Sequence, residues 1–239
     1  MASRVPGWAK GVGSGLVGLS VIALVVGRGE GFKEWVVSQW AVPHGRSGRF
    51  FALAMPYLNG NLYDVYVSAA ELLELNADDE LVEVACGSGA FLSSHAGQVR
   101  RVAGLDISDL QVGPARRRLR DRISAGTAEI VQGDAAALPW GANTFTAATC
   151  LLGLEYFSDP EAALREMKRV LRPGGRLVVT LGIDENDEDC VKECEWWGWP
   201  HPLEEEARKL VESAGFSLVS VSHLDRGYLA RFIKAVKAE

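Results

Sequence analysis

Two hydrophobic periods divide the chain. Up to about residue 76 the apolar positions recur at helical spacing: Trp35, Val36 and Trp40 share one stripe, and Val65, Val67, Ala70, Leu72 and Leu73 mark a helix over residues 63–75. Pro43-His44-Gly45 and Asn59-Gly60-Asn61 are turn signals between them. From residue 81 short apolar runs at 81–86, 101–105, 128–131, 145–151 and 176–181 alternate with amphipathic helices near 91–98, 110–123 and 160–171. A further helix over 203–214 precedes runs at 217–222 and 229–236, which Asp225-Arg226-Gly227 separates in the manner of a hairpin. Strand and helix in alternation predict an α/β fold, a doubly wound Rossmann-like sheet of seven strands, mostly parallel with an antiparallel last strand, preceded by a helical N-terminal extension. The expected boundaries are 1–27 for an apolar segment, 28–76 for a helical lid or extension and 77–239 for the sheet domain.

Composition narrows the function classes. A 239-residue chain that is 48% hydrophobic and 23% charged buries one large core. A net charge of -6 speaks against a nucleic-acid binder. The one basic run, Arg116, Arg117, Arg118, Arg120 and Arg122, reads as the solvated face of a helix rather than a phosphate site. Cys86, Cys150, Cys190 and Cys194 are too scattered for a disulfide framework and suit a reducing cytoplasm. Cys190 and Cys194 have only His201 to join them, short of the ligand set a zinc ion takes, so no metal is expected.

Residues 11–27 carry no charge and are rich in Leu, Val and Ile, at the lower length limit of a bilayer span. Two readings stand: an uncleaved membrane anchor or surface helix, or a buried or oligomer-forming helix. Gly11, Gly15 and Gly18 suit close packing in a membrane or against another protomer. The first reading makes a cytoplasmic protein membrane-associated; the second leaves it cytoplasmic, and a homo-oligomer where the helix packs against another protomer.

The chemistry gathers at the strand ends. The first run closes Glu83-Val84-Ala85-Cys86-Gly87-Ser88-Gly89-Ala90, where small residues let the backbone approach a ligand as the chain turns into a helix. Asp106 ends the second run, where a doubly wound fold presents a carboxylate to ribose hydroxyls; a helix cap by Asp106 or Ser108 is compatible with that role. The third run ends Gly133-Asp134-Ala135-Ala136-Ala137-Leu138-Pro139-Trp140.

With that third motif the chain resembles the class I S-adenosylmethionine (SAM)-dependent methyltransferases, in particular the small-molecule group that includes quinone and sterol methyltransferases. The resemblance runs over residues 81–182. It rests on the ordered motifs at 83–89, Asp106, 133–139, the D-P-x-x-A-L-x-E match at 159–166 and Leu-Arg-Pro-Gly-Gly at 171–175. It implies SAM as cofactor, S-adenosylhomocysteine as product and a small-molecule acceptor, lipophilic or amine-containing. Glu83, Ala85, Gly87 and Gly89 are then expected around the methionine part of SAM and Asp106 on the ribose hydroxyls. Ile107 is expected beside the adenine, Asp134 and Ala135 at its amino edge, and Cys150 and Leu151 beside the sulfonium. Ala85 departs from the glycine usual there, which should narrow the pocket slightly.

Methyl transfer is an in-line displacement in which the protein aligns the reactants and, where needed, removes a proton. Glu155 and Tyr156 follow the fourth run and are candidates to accept a proton, pair with a cation or orient the acceptor; the plain alternative for Glu155 is a loop cap. His201 is a weaker candidate, equally placed to enter the next helix. The acidic run 184–195 leads into Trp196, Trp197 and Trp199, either a solvated loop or an acidic, aromatic rim suited to a cation. Two rivals remain from other classes. One is a non-catalytic SAM-binding or assembly protein. The other is a nicotinamide-dependent oxidoreductase, which shares the glycine turn but leaves Glu83, Gly133-Asp134 and the closing hairpin without a role.

Overall fold

The structure, a computed structural model, describes residues 34, 35, 38, 62–181, 192, 195, 196, 203–224 and 230–238. Its centre is set by strands that are apolar on both sides. β1 (Glu80–Val84) and β2 (Arg101–Asp106) bury every position after their first, as a parallel sheet covered on both faces requires. With β3 (Ala128–Gln132), β4 (Phe145–Cys150), β5 (Leu171–Leu181), β6 (Phe216–Leu224) and β7 (Ala230–Lys237) they form a seven-stranded sheet ordered β3-β2-β1-β4-β5-β7-β6. β1 to β5 pair in parallel, and β7 runs antiparallel between β5 and β6. The hairpin pattern thus resolves as a strand inserted beside β5. Strand order reverses at β1, between β2 and β4, which opens a crevice above the carboxyl ends of these strands.

Strand alternation sorts the core into two layers. Val82, Val84, Leu105, Leu177, Val179 and Ile233 face one helical layer, which contains α5 (Pro160–Val170) and α6 (Glu204–Ser213). Leu81, Val102, Ile130, Ala147, Val178 and Phe232 face the other, which contains α1 (Leu62–Leu73), α2 (Ala90–His95), α3 (Asp109–Arg118) and α4 (Arg120–Ser124). Glu83 shares the parity of Leu81, so its carboxyl points toward the α1–α2 side. α1 buries Val65, Ala69 and Leu73 completely and is part of this layer, while residues 28–61 lie outside the described residues apart from helical Glu34, Trp35 and Ser38.

Local chemistry sets several boundaries. Asp159 caps α5 by accepting the Ala162 N–H at 2.8 Å, with Pro160 at the first helical position. The single helix expected over 110–123 is two, parted at Leu119. Arg122 of the second donates to the carbonyls of Ala96, Val99 and Arg100. Arg116 likewise bonds the Ile130 carbonyl at 3.0 Å, so two of the five arginines tie backbone while Arg117, Arg118 and Arg120 are exposed. β5 begins earlier than its apolar run, because Phe145 pairs with Leu171 and Ala147 with Arg176; Arg172 to Gly175 bulge out between these pairs. Among the described residues no helix is long and apolar enough to cross a membrane; residues 11–27 lie outside them.

Below the sheet Asp79 binds three segments together. It is 3% exposed and accepts from Arg176 at 2.6 Å, Thr146 Oγ1 at 2.6 Å and the Asn76 N–H at 2.9 Å. Arg176 also donates to the Leu73 carbonyl at the end of α1. Removing one partner strands the other groups in a dry site, so Asp79→Ala should lower unfolding stability by about 3 kcal/mol, read by urea denaturation; a loss under about 1 kcal/mol contradicts a tying role for this network.

Candidate functional site

The crevice is built where the chain leaves β1. Ala85, Gly87 and Gly89 adopt φ of 59°, 51° and 73°, a succession of left-handed residues that folds the turn tightly enough for the Gly89 N–H to reach the Cys86 carbonyl at 2.8 Å. A side chain at Gly87 would project into open space, with no atom within 4 Å. Ala85 pays for its methyl group in backbone strain, a left-handed residue with a Cβ costing about 1–2 kcal/mol. The departure from glycine therefore falls on the backbone more than on pocket width.

Asp106, 8% exposed, holds this turn from the neighbouring strand. One carboxylate oxygen accepts the Gly87 N–H at 2.8 Å and the other the Ser108 N–H at 2.9 Å. A carboxylate has about four acceptor positions, so two bonds leave room for hydroxyl donors. Burial raises its pKa, against the pull of the two amides. Ser108 sits at the N-cap of α3 without a side-chain cap bond. Ile107 beside it is 54% exposed, an apolar side chain open on the crevice rim.

Glu83 is the electrostatic outlier. It is 3% exposed, and its Oε2 is sealed from solvent with no hydrogen-bond partner. Burial, reinforced by the Asp106 carboxylate, raises its pKa well above the ordinary range, opposed by a bond from the Leu92 N–H. A buried carboxyl lacking a donor calls for a cationic or donor group, and the α-ammonium of SAM is such a group. Tyr66 of α1 reaches the same place: its ring meets Phe91 edge-on at 5.8 Å, and burial followed by the Glu83 charge raises its phenol pKa. Sequence reasoning missed Tyr66. Its signal was a tyrosine on the apolar stripe of a helix that precedes the motif by twenty residues.

Asp134 is exposed after β3 and turns its carboxylate onto the Ala136 N–H at 2.9 Å, with Ala135 buried beside it. At the end of β4, Cys150 is fully buried and Leu151 is 9% exposed. Leu152 then takes a φ of 56°, held by the buried Thr180 hydroxyl of β5, which accepts its N–H at 2.8 Å. Gly153 closes against the cofactor turn, and a Cβ there would stand 2.7 Å from the Ala85 Cβ. The short 3-10 helix Leu154–Tyr156 follows. Glu155 keeps some exposed surface overall, but its Oε2 is sealed and lacks a hydrogen-bond partner. Burial pushes its pKa up to about 7, opposed only by a backbone N–H. One carboxylate oxygen thus meets the backbone of its own turn, as a loop cap does, while Oε2 is left over. His201, Trp197 and Trp199 lie outside the described residues; Glu195 and Trp196 are helical and exposed.

The residues expected at the site therefore gather from four strand ends, with Tyr66 and Thr180 added by tertiary packing. Two buried carboxyls, Glu83 and Asp106, stand at the ends of β1 and β2, and a third, Glu155, follows the end of β4.

Comparison with known proteins agrees. Residues 82–179 match the family described as "Methyltransferase domain". The ubiquinone/menaquinone biosynthesis C-methyltransferase of Idiomarina loihiensis is 30% identical over 179 residues, 63% of this chain and 71% of that protein. The enzyme of the same name from Klebsiella pneumoniae is 42% identical over 102 residues, 41% of each chain. The chain thus spans about two fifths of the length of some of its curated relatives. Among solved structures, the geranyl diphosphate C-methyltransferase of Streptomyces coelicolor, in complex with S-adenosylhomocysteine, superposes with a TM-score of 0.63 at 16% identity, over 82% of this chain and 86% of that one.

The contact between the two turns is testable. Gly153→Ala should destabilise by about 1–3 kcal/mol through overpacking. Ala85→Gly, which relieves the left-handed alanine, should be neutral or stabilising by up to about 1 kcal/mol. The double variant should lose less than Gly153→Ala alone; additive losses in thermal unfolding contradict direct contact. With the sheet order, the buried acids at the strand ends and these relatives in agreement, the chain belongs to the class I SAM-dependent methyltransferases and transfers a methyl group from SAM to a small molecule.

Proposed function

We propose that SAM lies across the carboxyl ends of β1 and β2. The Glu83 carboxylate takes its α-ammonium, and the Ala85, Gly87 and Gly89 backbone lies along the methionine part. Asp106 receives the ribose hydroxyls in its remaining acceptor positions, Ile107 covers the adenine, and Asp134 and Ala135 meet the adenine amino edge. Cys150 and Leu151 flank the sulfonium. The observation that carries this reading is the buried, unpartnered Glu83 oxygen on the strand that leads into the turn where Gly87 faces open space.

The acceptor we propose is a lipophilic hydroxyaromatic ring of the quinol class, methylated on carbon. The curated relatives are named as C-methyltransferases of ubiquinone and menaquinone biosynthesis, which supports this class. The uncharged run over residues 11–27 would bring the enzyme to the lipid phase where such an acceptor dissolves. An attacking carbon needs the ring hydroxyl ionised, which gives a carboxyl at the end of β4 a use.

Three outcomes follow. Calorimetric titration should show Asp106→Ala binding SAM about 2 kcal/mol more weakly, the cost of unpaired buried hydrogen-bonding groups; unchanged affinity removes its ribose role. Because the Glu83 pKa is raised, its carboxyl is neutral at the low end of the pH range and ionises as pH increases. SAM affinity should therefore increase with pH and then level off, and Glu83→Gln should flatten the profile. A flat wild-type profile contradicts the ammonium assignment. For the acceptor, purified full-length protein with SAM and a reduced, short-chain prenyl naphthohydroquinone under anaerobic conditions should yield S-adenosylhomocysteine and a ring carrying one new carbon-bound methyl group. Methylation on oxygen, or none with SAM binding intact, rejects the quinol C-methylation reading.

A further inference from the structure

We infer that Glu155 is the catalytic base that accepts the acceptor's hydroxyl proton through Oε2, and that Thr180 is the positioning residue that aims it. The inference deepens the proposed function and rests on it. Three observations support it independently of one another. The Glu155 Oε2 is sealed from solvent and has no hydrogen-bond partner, which is costly unless a substrate group supplies one. The turn that carries it is strained at Leu152, with φ 56°, and is pinned by the fully buried Thr180 hydroxyl at 2.8 Å; such strain persists where surrounding structure over-determines a site. The same turn abuts the cofactor loop through Gly153 and Ala85, so Glu155 stands at the junction of the cofactor and acceptor sides.

The charge environment suits the role. Its own backbone N–H is the one influence that lowers the Glu155 pKa, and burial sets it at about 7, close to the working pH at which a general base acts best. Of the groups packed around it, β4 presents the Cys150 thiol, whose pKa is raised by burial first and then by Glu155, with Glu83 of β1 and Asp106 of β2 adding smaller effects. β5 presents the uncharged Thr180. At the entry to α5, Asp159 is engaged with the Ala162 N–H.

The step balances as follows. Glu155 takes the ring O–H proton, and the ionised ring directs its electron pair from the ortho carbon to the SAM methyl. A carbon–carbon bond forms as the carbon–sulfur bond breaks, and the sulfur keeps the electron pair as neutral S-adenosylhomocysteine. The methylated carbon loses its hydrogen as a proton to water while Glu155 returns its proton to the oxygen. One methyl group is transferred and one proton is released.

The test compares wild type, Glu155→Gln, Glu155→Asp and Thr180→Val on two acceptors. One is a naphthohydroquinone that is neutral at pH 7; the other is a nitro-substituted hydroxyaromatic ring that is already ionised there. On the neutral acceptor, Glu155→Gln should lower kcat about 100-fold with SAM affinity unchanged, and Glu155→Asp should recover part of the rate. The wild-type kcat profile should climb to a plateau with its break near pH 7, and Glu155→Gln should move the break to the ionisation of the acceptor itself. On the ionised acceptor wild type and Glu155→Gln should react alike. Thr180→Val should lower kcat while keeping the wild-type break. Equal loss on both acceptors, or no loss on the neutral one, overturns the base role while leaving quinol methylation standing. Failure of the wild type to methylate either ring overturns both.

Discussion

The turns after β1 and β2 depend on one carboxylate. Asp106 ends β2 and, with two backbone bonds of 2.8 and 2.9 Å, joins the turn after β1 to the turn after β2. Parallel strands bring these two turns side by side, but only a buried acceptor between them satisfies both amides away from water. The cost is a second acid nearby. Glu83 lies on β1 beside Asp106, both are buried, and each resists ionisation. On the proposed reading a cationic cofactor relieves that conflict, and the same pair of acids both holds the turn and selects the ligand.

The second constraint is steric. Ala85 carries a methyl group where the backbone is left-handed, and Gly153 has no side chain where that methyl group needs room. The turns after β1 and β4 are therefore fitted to one another, and Leu152 is held in its left-handed conformation by Thr180 from the next strand over. On the proposed reading these turns carry the methyl donor and the acceptor, and their fit supplies the alignment an in-line displacement requires.

Much of this was legible in the chain because its signals are local. Alternating short apolar runs and helices gave the sheet and its antiparallel member, and Glu83, Asp106 and Asp134 marked three strand ends directly. Less legible were features that arise from tertiary packing. The helix over 110–123 parts at Leu119, where nothing in the apolar period breaks, and Arg122 turns out to bind three carbonyls instead of solvent. The bulge after Leu171 hides the start of β5 behind Pro173-Gly174-Gly175. Tyr66 and Thr180 read as ordinary core positions, and only the packing of α1 and β5 brings them to the site. Glu155 was visible as a candidate, but the burial of its carboxyl is a property of the folded turn.

A crystal structure of the full-length protein with S-adenosylhomocysteine is the most direct measurement of whether the cofactor completes this pair of acids. The account predicts the ligand's ammonium within hydrogen-bond distance of Glu83 Oε2 and its ribose hydroxyls on Asp106, with the Gly87 and Ser108 bonds intact. A ligand seated elsewhere, leaving Glu83 Oε2 still without a donor, would contradict it.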